Sequence, residues 1–231
     1  MMRLILSFAA FVALSFSPQT SWATKKSGTL TAISDGDTVH FQSSGEKRLK
    51  VRLVGIDTPE LHLQVGGGMV DQGPLAEEAT KALAKMVPIN SRVELESSAL
   101  DNYGRTLGRL YVGNVDVNLE MVKKGMAYSY IICGGDDCDA SFFSRHNVKE
   151  YLAACKVAAT AQIGIFHPKT GLAQLPFEFR LEKQNRRPDK WVGDVTTHTF
   201  VQPDRYREVE PCNRVFFTSE ESAVKQGFRA H

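Results

Sequence analysis

The chain has little excess of charge of either sign. Its 231 residues carry 28 Lys and Arg against 26 Asp and Glu, a formal net charge of +2. That near-balance excludes a global basic field, so any binding of polyanions has to come from a local cluster. Beyond the N-terminal segment, no apolar run is long enough to span a bilayer. No segment repeats, which excludes a repeat architecture. Cysteine is sparse: Cys133, Cys138, Cys155 and Cys212. Four thiols spaced so unevenly do not resemble a zinc site.

What is present fits a soluble globular protein, with 42% hydrophobic and 23% charged residues. The length suits one sizeable core and a small second module. Residues 1–23 read as a secretory signal: Arg3, then the apolar run Leu4 to Phe16, then Ser21-Trp22-Ala23 with cleavage after Ala23. A membrane anchor is the alternative, and the polar stretch Ser17 to Thr20 argues against it. Cleavage removes Arg3 alone among the charged residues and leaves a net charge of about +1. The mature protein is expected to be secreted or periplasmic. Export favours disulfides among the four cysteines, with three pairings open. Cys133 and Cys138 bracket a Gly-Gly-Asp-Asp loop that one bridge would close.

From Gly28 onward the pattern is one of short strands. Leu30–Ile33 and Val39–Phe41 flank the hairpin signal Asp35-Gly36. Lys50–Ile56, Arg92–Leu95 and Leu107–Val112 follow as further strands, with residues 61–73 as a loop around Gly66-Gly67-Gly68. Helices are predicted over Leu75–Val87, Val117–Lys124 and Val148–Gln162. The acidic segment from Gly134 to Arg145 reads as a solvated loop. Five short strands with three helices suggest an α+β fold, a Greek-key barrel of the oligonucleotide/oligosaccharide-binding type, with a small C-terminal extension; periodicity alone does not single it out from other α+β arrangements. Residues 167–190 hold three prolines and the mixed charge run Arg180 to Arg187, and read as a linker or arm with a solvated face. Residues 191–231 form a compact tail with a helix over Ser219–Gln226, capped by Thr218 or Ser219.

Three motifs carry chemistry. They are Asp35-Gly36-Asp37-Thr38, the run Arg52 to Glu60, and Asp101-Asn102-Tyr103-Gly104-Arg105. In the second, strand alternation puts Arg52, Val54 and Ile56 on one face and Val51 and Leu53 on the other. Pro59 then stiffens the exit, because it lacks an N–H and biases Thr58 towards extended backbone. Singly, each motif reads as a solvated turn. Together they supply the parts for phosphodiester hydrolysis: carboxylates for a hard cation, a carboxylate for a water, and two guanidinium groups for a phosphate.

These motifs, with Gln72-Gly73-Pro74, Val117-Asn118 and Gly164-Ile165-Phe166, resemble the staphylococcal nuclease-like (thermonuclease) family over roughly Gly28 to Phe166. The resemblance implies a nuclease domain over residues 24–166 and a calcium-dependent cleavage of DNA and RNA that leaves 5′-hydroxyl and 3′-phosphate ends. It implies Ca2+ ligation by the carboxylates of Asp37 and Asp57 and the backbone carbonyl of Thr58, hard oxygens of the kind calcium prefers. Glu60 would deprotonate the attacking water or belong to the network that positions it. Arg52 and Arg105 would grip the scissile phosphate through paired N–H donors. Tyr103 would contact the terminal nucleotide by stacking or hydrogen bonding; packing at the barrel rim is the alternative. Asn102 stands where the family has a lysine, and Ile131 near the place of a nucleotide-facing tyrosine, which puts base preference in doubt. His62 has no mapped role.

The tail, through Trp191-Val192-Gly193-Asp194 and Asn213 to Phe217, is similar to the metal-binding module of the Ada repair protein. Val201 and Arg205 stand at two ligand positions, so a metal-free remnant is expected. The protein is expected to act as a monomer. Two rivals remain: a catalytically silent binding module, which commonly lacks part of the catalytic set, and a structural envelope protein whose active part is the tail.

Overall fold

In the computed structural model, which describes residues 25–133 and 145–231, the alternating apolar positions become a closed sheet. Strand β1 (Lys25–Ile33) runs antiparallel to β2 (Thr38–Gln42), and β2 to β3 (Leu49–Leu53). The chain turns at Val54 and restarts as β4 (Gly55–Asp57). Gly55 has φ 78°, a left-handed conformation that side chains disfavour. The expected unbroken strand over Lys50–Ile56 is therefore two pieces. The break also resets the alternation: Ile56 lies buried in the same core as Val51 and Leu53, not on the face of Arg52.

The stretch 61–73, expected as a loop, contains a small hairpin of β5 (Leu63–Val65) and β6 (Gly68–Val70). Helix α1 (Pro74–Met86) follows, with Pro74 in its first turn where no N–H is missed. Strands β7 (Arg92–Leu100), β8 (Thr106–Val112) and β9 (Val115–Asp116) complete the sheet. β7 pairs with both β1 and β8, and β8 returns to β3 in parallel, which closes a five-stranded barrel in the order β1-β2-β3-β8-β7. Leu30, Phe41, Val51, Leu53, Leu95 and Leu110 fill it and are fully buried.

Helix α2 (Val117–Lys123) is capped by Asp116, whose side chain accepts the N–H of Leu119 at 3.1 Å. Strand β10 (Tyr128–Tyr130) pairs with β4, and β11 (Ile132–Cys133) follows it. Helix α3 (Arg145–Thr160) closes the part of the chain that forms the barrel domain. The expected signal segment and the expected acidic loop fall outside the described residues.

Residues 167–190, expected as a linker or arm, contain helix α4 (Pro176–Lys183). Glu178 starts it by accepting the N–H of Leu175 at 2.8 Å. Strands β12 (Trp191–Asp194), β13 (Thr199–Val201) and β14 (Arg214–Phe217), helix α5 (Glu220–Lys225) and strand β15 (Arg229–Ala230) complete the tail. Ser219 is the cap of α5 and accepts the N–H of Ser222 at 3.1 Å. The tail sheet has the order β11-β14-β12-β13-β15, so it grows from the edge supplied by Ile132 and Cys133. A disulfide between Cys155 and Cys212 ties α3 to the tail. Cys133 is also disulfide-bonded, and Cys138 lies outside the described residues.

Candidate active site

The hairpin turn between β1 and β2 brings Asp37 against the end of β4. Asp35 Oδ1 accepts the N–H of Asp37 at 3.0 Å, which shapes the turn. A Cβ on Gly36 would come within 2.8 Å of the Thr58 side chain, so a glycine lets the two segments touch. Asp37 Oδ2 accepts both the N–H and the hydroxyl of Thr58, each at 3.0 Å. Its backbone carbonyl accepts the N–H of Leu53 at 2.8 Å. Asp37, Asp57 and Thr58 are buried together.

Arg52, from β3, lies between the two carboxylates. Its Nη1 pairs with Asp37 Oδ1, and its Nη2 donates to Asp57 Oδ1 at 2.9 Å. Burial pushes the Arg52 guanidinium down and Asp57 opposes that shift. Burial likewise raises Asp35, against the pull of Arg52. Glu60 follows Pro59 on a segment held by Gln72. The N–H of Glu60 reaches Gln72 Oε1 at 3.2 Å, and the N–H of Gln72 reaches the carbonyl of Glu60 at 2.7 Å. Burial raises the Glu60 carboxyl above its ordinary value, and Arg180 pulls the other way.

Arg105 arrives from the turn before β8. Asp101 Oδ1 accepts its N–H at 2.8 Å and Oδ2 accepts its Nε–H at 2.7 Å. Among the described residues no hydrogen bond or ion pair takes its terminal nitrogens. Tyr103 is 79% exposed, which sets it on the rim rather than in the barrel packing, and the Arg105 guanidinium lies 5.6 Å from its ring centre. His62 has φ 58° and donates its N–H to Asp71 at 2.5 Å.

One cleft of about 940 Å³ is lined by Asp37, Arg52, Glu60, Tyr103, Arg105 and, unexpectedly, Arg180 of α4; Asp57 and Thr58 are not in its lining, but lie buried and bonded to its Arg52, Arg180 and Asp37. Arg180 Nη1 and Nη2 reach the two oxygens of Asp57 at 2.6 and 3.1 Å, and Nη1 also pairs with Glu60. Burial would lower this guanidinium, but the charges of Asp57 and Glu60 outweigh it and hold it above its ordinary value. The mixed run Arg180 to Arg187 read as a solvated face hid this residue. Pro176 with Glu178 two residues later is the start signal that would have exposed the helix.

Comparison with known proteins bears on the family. A family model described as staphylococcal nuclease homologue matches residues 50–167. Endonuclease YhcR of Bacillus subtilis is 31% identical over 206 residues, 87% of this chain and 16% of that protein. Protein ParB of Escherichia coli is 29% identical over 194 residues, 80% of this chain and 96% of that protein. The thermonuclease of Staphylococcus intermedius is 32% identical over 95 residues, 41% of this chain and 54% of that protein. The chain thus spans about a sixth of the first relative and about half of the third. With half of its length under the family model, and with the closed five-stranded barrel described above, the chain belongs to the staphylococcal nuclease family.

Proposed function

We propose that the protein is an exported, calcium-dependent nuclease that hydrolyses phosphodiesters of DNA and RNA and leaves 5′-hydroxyl and 3′-phosphate ends. The observation that carries this reading is the convergence of Asp37, Glu60, Arg52 and Arg105 on one open cleft, with buried Asp57 bonded to Arg52.

The donor set fits calcium. Asp37 and Asp57 bring carboxylate oxygens and Thr58 a backbone carbonyl, all hard ligands. Among the described residues no three His, Cys, Asp or Glu side chains form a metal cage. A set of two carboxylates and a carbonyl leaves room for waters and substrate oxygens, which calcium accepts. Bound there, calcium supplies polarisation of the phosphate and orientation of the water.

The remaining work falls to side chains. Glu60 takes a proton from the attacking water or orders the network around it, and its raised carboxyl suits it to accept one. The water oxygen bonds to phosphorus, the P–O5′ bond breaks, and the leaving oxygen is protonated from solvent. Arg105 has its terminal nitrogens available for phosphate oxygens, because Asp101 holds only its N–H and Nε. Arg52 grips the phosphate by trading one of its carboxylate contacts. Both guanidiniums act most where charge accumulates in the transition state. Tyr103, on the rim, stacks against a terminal base. Among the described residues no helix is long and apolar enough to cross a membrane.

The test is digestion of denatured DNA and of RNA in calcium and in chelator, followed by analysis of the ends. Products that accept phosphate at the 5′ end without prior phosphatase treatment support the reading. Products carrying a 5′-phosphate contradict the end chemistry.

A further inference from the structure

Arg180 has no part in the roles above, yet it touches two of the residues that carry them. It stands 123 residues from Asp57 and 120 from Glu60 along the chain. It is outside the span of the family model. Its planar fork holds both oxygens of Asp57, a bidentate geometry stronger and more directional than a single contact.

The helix that delivers it is anchored. Phe177, three residues earlier and 5% exposed, packs 5.4 Å from Tyr130, 5.3 Å from Phe216 and 5.5 Å from Tyr206, measured between ring centres. Phe179 is buried as well. Gln72, which holds Glu60, donates to the carbonyl of Gln174 at 2.9 Å, just before α4. Barrel, Glu60 segment and extension are therefore joined around one guanidinium, on a rigid element of the kind that places a functional group well.

Building on the nuclease reading above, we propose that Arg180 is a positioning residue. It is a tethered cation that holds Glu60 beside Asp57 and competes with a divalent cation for the Asp57 carboxylate. The two effects have opposite signs. Asp57 and Glu60 repel each other as anions, and Arg180 bridges them, so its loss lets Glu60 drift from the water it serves. The same positive charge, in contact with a metal ligand, opposes the approach of a dication. A residue that only stabilised the fold would weaken metal binding and turnover together.

The experiment uses the mature full-length protein, Arg180→Gln and Arg180→Lys. Calcium binding is measured by calorimetry without nucleic acid, kcat and KM on denatured DNA at saturating calcium, and folding by circular dichroism. Arg180→Gln is expected to bind calcium at least about tenfold more tightly. Its kcat is expected to fall about 10- to 100-fold with little change in KM. Arg180→Lys keeps the charge but loses the fork, so it should bind calcium like the parent and recover only part of kcat. A folded Arg180→Gln with unchanged calcium affinity, unchanged kcat, or losses in both overturns the proposal. If Arg180→Gln does not fold, parental kcat in Arg180→Lys overturns it. A parent protein that cleaves no nucleic acid sinks the nuclease reading, while the calorimetry still decides whether Arg180 opposes calcium.

Discussion

Asp101 holds Arg105 by two points at once, accepting its backbone N–H at 2.8 Å through Oδ1 and its Nε–H at 2.7 Å through Oδ2. The turn and the side chain it carries are fixed by one carboxylate. The guanidinium thus borders the cleft with its Nε held and its terminal nitrogens outside the grip of Asp101. Asp101→Ala keeps Arg105 but releases it, and kcat on denatured DNA should fall about 10- to 100-fold. Full activity in that variant would show that Arg105 needs no such support.

The same carboxylate gives a pH dependence. Burial would raise Asp101, but its hydrogen bonds from Arg105, its charge pairing with Arg105 and the N–H of Tyr103 outweigh burial and lower it below 3.8. A depressed acid stabilises the fold fully above its unfolded value and loses that contribution as pH falls through the folded one. The Arg105 turn should therefore stay ordered at pH 5 and loosen only in strong acid. A carboxyl titration by NMR with a midpoint above 3.8 would contradict this.

Asn118 fastens the segment that leads into Asp57. Fully buried, it accepts the N–H of Leu110 at 3.1 Å and donates to the carbonyls of Val54 and Gly108 at 2.9 and 3.2 Å. Asn118→Leu would take that partner from the Leu110 N–H and the Val54 carbonyl, at a cost of about 1–3 kcal/mol for each left buried and unpaired, while the Gly108 carbonyl keeps the N–H of Val54 at 3.0 Å. Urea denaturation should show a loss of at least about 2 kcal/mol. A loss below measurement would mean that the Leu110 N–H and the Val54 carbonyl find other partners.

The Cys155–Cys212 bridge closes a span of 57 residues between α3 and the tail. Replacing both cysteines with alanine should cost about 2–4 kcal/mol, through the wider freedom of the unfolded chain. Equal denaturation midpoints with and without the bridge would refute that contribution.

Phe177→Ala removes the ring against which Tyr130, Tyr206 and Phe216 pack. A buried aromatic of this kind contributes about 3–5 kcal/mol. The variant should be cut by protease between residues 166 and 176 faster than the parent. An unchanged cutting rate would show that α4 is held by something else.

The strands and turns were legible because their signals are local, whereas the barrel type and the roles assigned to the site residues rested on the family resemblance of three separated motifs. Asp35-Gly36 marks a hairpin, and Arg52 to Glu60 compresses a strand, a stiffened exit and three charges into nine neighbouring positions. Three features escaped for physical reasons. The break at Val54-Gly55 depends on a left-handed glycine and on Asn118 gripping the Val54 carbonyl from another element, while the apolar pattern there suits one strand. Arg180 sits among Glu182, Lys183 and Arg186, where charge density alone suggests solvent. Its partners are more than a hundred residues away, and nothing local distinguishes a guanidinium that pairs in the barrel from one that faces water. The small hairpin of β5 and β6 was missed because three successive glycines suggest only a flexible loop.

The central claim is tested most directly by the initial rate at which the purified protein hydrolyses denatured DNA, in calcium and in chelator, beside Arg105→Ala. The account predicts cleavage in calcium, none in chelator, and a rate at least about a hundredfold lower in the variant. Equal rates in calcium and chelator, or parental activity in Arg105→Ala, would contradict it.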